Sequence, residues 1–211
     1  MTLPGGNEPA PLRAVVLVCT LKAGDERSSS EQLGREVAEA LGKLGVTSEV
    51  IRVVDRNVKF GVSTDEGDGD GWPAIRSRIM DSQILVLATP IWMGQPSSVA
   101  KLVLERLDAE LGEKDDQGRL LTFGKVAAVA VVGNEDGAHH VCAEVFQALN
   151  DVGFTIAAAG GTYWVGEAMQ TTDYMDAGPK VDTTGAASTT LAANTAHLAR
   201  LLAANHYPPT T

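Results

Sequence analysis

The chain has 211 residues, 44% of them hydrophobic and 21% charged, with a formal net charge of −10. That length supports a single domain with a full core. The acidic balance argues against nucleic acid or an anionic membrane surface as partner, and no apolar run approaches the ~20 residues of a transmembrane helix.

Residues 1–12 lack the basic and apolar blocks of a signal peptide and read as a flexible tail. Residues 14–19 are an unbroken apolar run, the pattern of a strand buried on both faces. Leu33, Val37, Leu41 and Leu44 follow at helical spacing, with Ser28 and Glu31 spaced as a capping box and Gly45 as the stop. Residues 48–54 make a second strand. A polar stretch rich in Gly and Asp, 55–71, leads to a helix with Pro73 in its first turn and Trp72, Ile75 and Ile79 on its apolar face.

Residues 83–89 are the third strand, and Val99, Leu102, Val103 and Leu107 mark the next helix. The fourth strand spans 125–132. Ala138, Val141, Cys142, Val145, Phe146 and Leu149 form the most regular helical stripe, closed by Gly153 before a fifth strand at 154–159. Residues 160–182 show no sustained period and read as a long functional loop. A last helix covers about 184–205, with Leu191, Thr195, Leu198 and Leu202 inward, and residues 206–211 are a C-terminal tail. Strands alternating with helices require crossovers, so the expected fold is one α/β domain, 13–205, whose parallel sheet is covered on both faces. Cys19 and Cys142 make no disulfide framework. They read as reduced, buried thiols, which suits the cytoplasm.

In such a sheet the loops leaving the carboxyl ends of the strands build the ligand site. Here these are 19–30, 89–98 and 133–139. Ser28, Ser29 and Ser30 open a helix whose free N–H groups and dipole favour a phosphate, with Thr20 opposite; capping alone also explains such serines. Pro90, Ile91, Trp92, Met93 and Gly94 form an aromatic turn that can wall a flat ring, or pack at a subunit interface. Gly133, Asn134 and Asp136 can bond a polar ring edge, Asp136 being equally placed to cap the following helix, and His139 in that helix's first turn lies within reach. No metal is expected, because His139 and His140 are adjacent rather than spaced for one helix face. The turn 19–24 lacks Gly-x-Gly-x-x-Gly, and no Walker motif occurs.

These residues resemble the flavodoxin-like NAD(P)H-dependent FMN reductase family, which includes quinone reductases. The resemblance covers roughly 13–205. The serine-rich helix opening corresponds to the family's FMN-phosphate loop. The run 89–94, followed by Ser97, Ser98, Lys101 and 105–108, is similar to its flavin-ring loop and next helix, and 133–140 is similar to its third flavin loop. The resemblance implies a flavodoxin-like three-layer α/β/α sandwich with a five-stranded parallel sheet of order 2-1-3-4-5, noncovalent FMN, and NADH or NADPH as electron donor. It also implies a small-molecule acceptor such as a quinone, and a homodimer. Tyr163, Trp164, Val165, Met169, Tyr174 and Met175, lying outside any expected element, are the residues expected to form the dimer surface. No acid–base residue is needed for hydride transfer, so none is assigned.

A low-molecular-weight phosphatase would need Cys-x5-Arg, and Asp25 stands where the arginine belongs after Cys19. An electron-carrying flavodoxin acting through a protein partner is the non-enzymatic alternative.

Overall fold

A computed structural model of the protein describes residues 11–167, 170–178 and 182–210. The strands are β1 (Leu12–Val18), β2 (Val46–Arg52), β3 (Ile84–Trp92), β4 (Gln95–Pro96), β5 (Val126–Gly133) and β6 (Thr155–Val165); the helices are α1 (Ser29–Gly42), α2 (Trp72–Met80), α3 (Ser98–Leu107), α4 (Ala138–Asp151) and α5 (Asp182–Ala204). The sheet runs β2-β1-β3-β5-β6, with all four pairings parallel. Leaving aside the two-residue β4, this is the expected order 2-1-3-4-5.

Alternation along each strand divides the core in two. Val15, Leu17, Ala127, Val129 and Val131 face α2, α3 and α4, while Ala14, Val16, Val18, Ala128 and Ala130 face α1 and α5. Alanines let the helices approach closely, and α1 approaches closest at Gly34: a Cβ there would lie 3.1 Å from Val16 and 3.2 Å from Ala88. Ser28 caps α1, its hydroxyl accepting from the Glu31 amide. Buried Leu33, Val37 and Leu41 then seat α1 on the sheet, each adding ~1.5–3 kcal/mol.

Three expectations need correction. The third strand continues through Pro90, Ile91 and Trp92 and folds back on β4, so Met93 and Gly94 are a tight hairpin turn rather than part of a broad loop. Both have positive φ, 52° and 73°, the geometry of a type I′ turn. The fifth strand does not stop at Ala159. It is interrupted there, since Ala127 pairs with Ile156 but Val129 with Gly161, and then resumes to Val165. Tyr163, Trp164 and Val165 therefore lie in β6, not in a loop.

The described stretches nearest the two ends join the fold. Leu12 is buried in β1. Tyr207 packs on Phe123 at 5.4 Å between ring centroids, its carbonyl accepts from Arg119 at 3.0 Å, and the Thr210 amide donates to the Gln117 carbonyl at 3.1 Å. Residues 1–10 and Met169 lie outside the described residues. No helix among the described residues is long and apolar enough to cross a membrane.

Candidate functional site

A cavity of about 290 Å³ opens at the carboxyl edge of the sheet. Its phosphate-like end is built by the start of α1. The first intrahelical bond there runs from the Gln32 amide to the Ser28 carbonyl at 3.0 Å, so the amides before it have no intrahelical carbonyl to bond, and of these the Glu31 amide is taken by the Ser28 hydroxyl. Ser28 and Ser30 hydroxyls share a hydrogen bond at 3.1 Å. The Ser29 hydroxyl is buried with no hydrogen-bond partner. A buried hydroxyl without a partner is costly unless something else bonds it. Thr20 lies opposite and accepts from the Lys22 amide at 3.2 Å.

The other end is wide and aromatic. Pro90, Ile91 and Trp92 come from the end of β3, and Val132, Gly133, Asn134 and Glu135 from the end of β5. A Cβ on Gly133 would lie 2.9 Å from Ile91, so only glycine lets these two strand ends close up here. The two loops also meet at glycines: a Cβ on Gly137 would lie 2.8 Å from the Gly94 Cα. Across this contact the Glu135 carboxylate accepts from the Met93 amide at 2.8 Å and holds the hairpin turn.

A third wall comes from the chain after β6. Trp164 and Tyr174 are buried and packed together, ring centroids 5.4 Å apart. The Tyr174 hydroxyl donates to Glu36 of α1 at 2.5 Å; burial, then the adjacent carboxylate, pushes its pKa up. Asp173 accepts from the Asn134 amide nitrogen at 3.0 Å, and Arg27 pairs with Asp176 at 3.1 Å. The 170–178 stretch is thus tied to α1, to the loop before it and to the β5 loop.

Of the residues singled out in sequence, Thr20, Ser28, Ser29, Ser30, Pro90, Ile91, Trp92, Gly133 and Asn134 come together around this one cavity. Met93, Gly94, Asp136 and His139 do not line it. Met93 points outward, 88% exposed. Gly137, not Asp136, stands at the α4 N-cap. His139 bonds the Tyr163 hydroxyl at 3.0 Å on the face of β6 turned away from Trp164. Leu21, Lys22, Val132, Glu135, Asp173, Trp164 and Tyr174 join the lining. Trp164 and Tyr174, expected at a dimer surface, are buried within the subunit instead.

Cys19 is fully buried and that burial pushes its thiol pKa up, which disfavours a thiolate there. Cys142 is likewise held up at about 11 by burial. No metal-ligating cluster occurs among the described residues.

The model of one family, described as NADPH-dependent FMN reductase, matches residues 12–170. The chain belongs to this FMN reductase family. An 8-demethyl-8-aminoriboflavin-5'-phosphate synthase of Streptomyces davaonensis is 32% identical over 206 residues, 93% of this chain and 80% of the synthase. A divalent metal cation transporter, MntH, of Mycobacterium bovis is 34% identical over 200 residues, or 92% of this chain; the match spans only 29% of the transporter's length. Among solved structures, RosB with bound 8-demethyl-8-formylriboflavin-5'-phosphate gives a TM-score of 0.86 at 32% identity, covering 93% of this chain and 82% of that one. An NADH:FMN oxidoreductase in its apo form gives 0.62 at 15% identity over 90% and 89%, a likeness of fold alone. The protein is therefore an FMN-dependent, flavodoxin-like member of an oxidoreductase family.

Proposed function

We propose that the chain holds FMN in this cavity and uses it to move a hydride from NADH or NADPH to a small acceptor such as a quinone. The observation that carries the reading is the pairing of a partnerless buried hydroxyl, Ser29, at a helix N-terminus with an aromatic-walled slot. These residues fit the group. Ser28, Ser29, Ser30 and Thr20 supply hydroxyl donors for its phosphate, and Trp92, Trp164 and Tyr174 supply apolar walls for its ring. Bound FMN supplies the hydride-accepting and electron-donating chemistry itself.

The chain's own task is to bind, orient and exclude water. Glu135 fixes the Met93 turn and with it the position of Trp92. Asn134 and Asp173 hold the β5 loop against the third wall. A homodimer in the cytoplasm, with no nucleic-acid or membrane partner, belongs to the same proposal.

A second reading follows from the 32% identity to the 8-demethyl-8-aminoriboflavin-5'-phosphate synthase: this chain would then make a modified riboflavin phosphate rather than retain FMN. One experiment separates the two readings from each other and from a plain electron carrier. The purified protein is mixed anaerobically with FMN and NADH or NADPH, then with a quinone, and the flavin is recovered for mass measurement. Bleaching and recovery of the flavin absorbance with unchanged mass is the expected result. The second reading is tested in a parallel aerobic incubation that adds an amino donor, because exchanging a ring methyl for an amino group needs both an oxidant and a nitrogen source, and an altered flavin mass there supports it. Absence of reduction by either nucleotide overturns the reductase and leaves the carrier.

A further inference from the structure

We propose that Arg52, at the end of β2, is the positioning residue of the phosphate cradle and not a phosphate ligand. This rests on the reading of the α1 N-terminus as a phosphate site. The Arg52 side chain is only 13% exposed. A guanidinium has five N–H donors, and here each is used. Nε donates to Glu31 at 3.0 Å. Nη1 donates to the Lys22 carbonyl at 3.3 Å and to that of Gly24. Nη2 donates to the Glu26 carbonyl at 3.0 Å and to Glu31.

Three alternate carbonyls of one loop, at Lys22, Gly24 and Glu26, are thereby turned towards a single side chain. In a trans peptide the following N–H points the opposite way, so the amides of Ala23, Asp25 and Arg27 face away from Arg52. Asp55, just past β2, takes the remaining Gly24 amide at 2.8 Å. Glu31 joins the clamp to the helix, because its amide is the one capped by Ser28 at 3.3 Å while its carboxylate holds Arg52 and also Arg35, the latter at 2.9 Å. The Arg52 charge is thus spent on shaping the loop, and Lys22, not Arg52, is the cation that lines the cavity.

The test titrates the full-length protein with FMN and with riboflavin, following quenching of flavin fluorescence. Arg52→Gln and Arg52→Lys are both expected to lose FMN affinity by roughly tenfold or more, with riboflavin affinity little changed. Lysine keeps the charge but cannot supply five fixed donors. A lysine variant that restores FMN binding overturns the proposal, since charge on the phosphate would then explain the effect. Equal losses for the two flavins also overturn it, as the sign of a general structural role. Asp55→Ala releases the Gly24 amide of the same loop and removes the carboxylate 4.0 Å from Arg52 Nε while leaving the Arg52 charge in place. It is expected to reproduce the selective FMN loss, and unchanged FMN affinity in this variant defeats the positioning role even if the Arg52 variants fail to fold. Wild-type protein that binds FMN no better than riboflavin defeats the phosphate reading itself, and the proposal with it.

Discussion

Ser28 and Ser29 are neighbours at the start of α1 with separate roles. The Ser28 hydroxyl is committed to the Glu31 amide as a helix cap, whereas that of Ser29 is buried and bonds nothing. Ser29→Ala is therefore expected to leave the melting temperature of the flavin-free protein unchanged while weakening FMN by ~1.5–3 kcal/mol, the worth of a hydrogen bond to a charged group. Ser28→Ala should lower stability by ~1 kcal/mol as well, through the lost cap. Calorimetric titration beside thermal melting checks both. Met93 illustrates a different residue-level compromise. It adopts φ 52° in a hairpin turn while 88% exposed, a conformation that favours Asn or Gly and costs a long side chain ~1–3 kcal/mol. Met93→Asn should stabilise the isolated subunit towards denaturant by up to about that amount, measured in dilute solution. The serines, Thr20, Trp92 and Asn134 were legible because a residue just after a buried strand is placed by the topology. The outward turn of Met93 was not, since it depends on the two-residue β4 pairing with Trp92.

At the scale of elements, apolar periodicity located the five α-helices and the five long strands among the described residues, though not the short 3-10 turns. It stopped β6 short, because Ala159 (φ 53°) and Gly160 break the pattern where the strand bulges. The bulge is itself stabilised, as Asn194 of α5 donates to the Ala158 carbonyl at 2.7 Å, a contact invisible to local sequence. Trp164 was misplaced for that reason, whereas Tyr174 lies beyond β6, in a short 3-10 turn over Tyr174–Asp176 that carries no apolar period. The 57–71 excursion shows the converse, a polar stretch that is nevertheless pinned from beneath. Arg106 of α3 and Asp70 are both fully buried and 2.8 Å apart, and Arg106 also donates to the carbonyls of Lys59 and Ser63 at 3.0 and 2.8 Å. Burial opposes ionisation of Asp70, but the amides of Glu66, Trp72 and Lys59 and the Arg106 guanidinium outweigh it and hold its pKa at about 2. A carboxyl depressed in the folded state contributes its stability above the ordinary carboxylate range and loses it as pH falls through its own pKa. Asp70→Asn should thus cost ~3–5 kcal/mol at neutral pH by stranding Arg106. The gap in melting temperature between variant and wild type should narrow as pH is lowered from about 4 to about 2.

Across the whole molecule, burying Trp164 and Tyr174 removes two of the six residues that sequence alone assigned to a subunit interface, while Tyr163 and Val165 stay 41% and 37% exposed. Leu21, Trp92 and Met93 are 48%, 52% and 88% exposed; Leu21 and Trp92 line the cavity, and Met93 adjoins Trp92. In the proposed homodimer, these apolar side chains, grouped on a protein that carries a net charge of −10, would form the association surface. A two-fold contact would place each subunit's Trp92 turn beside its partner's cavity. The strained geometry of Met93 then has a use, since it projects an apolar side chain where a turn would otherwise carry Asn or Gly. One substitution accordingly pulls in two directions. Met93→Asn, expected to stabilise the separate subunit, should weaken the homodimer by on the order of a hundredfold or more, because the symmetric interface loses two buried methionines at ~1.5–3 kcal/mol each. Sedimentation across a concentration series measures the association, and denaturation in dilute solution measures the subunit. A wild-type protein that remains monomeric at micromolar concentration would dismiss the dimer and leave the Trp92 turn as the outer wall of a site complete within one chain. A dimer whose affinity ignores Met93→Asn would move the interface elsewhere on the fold.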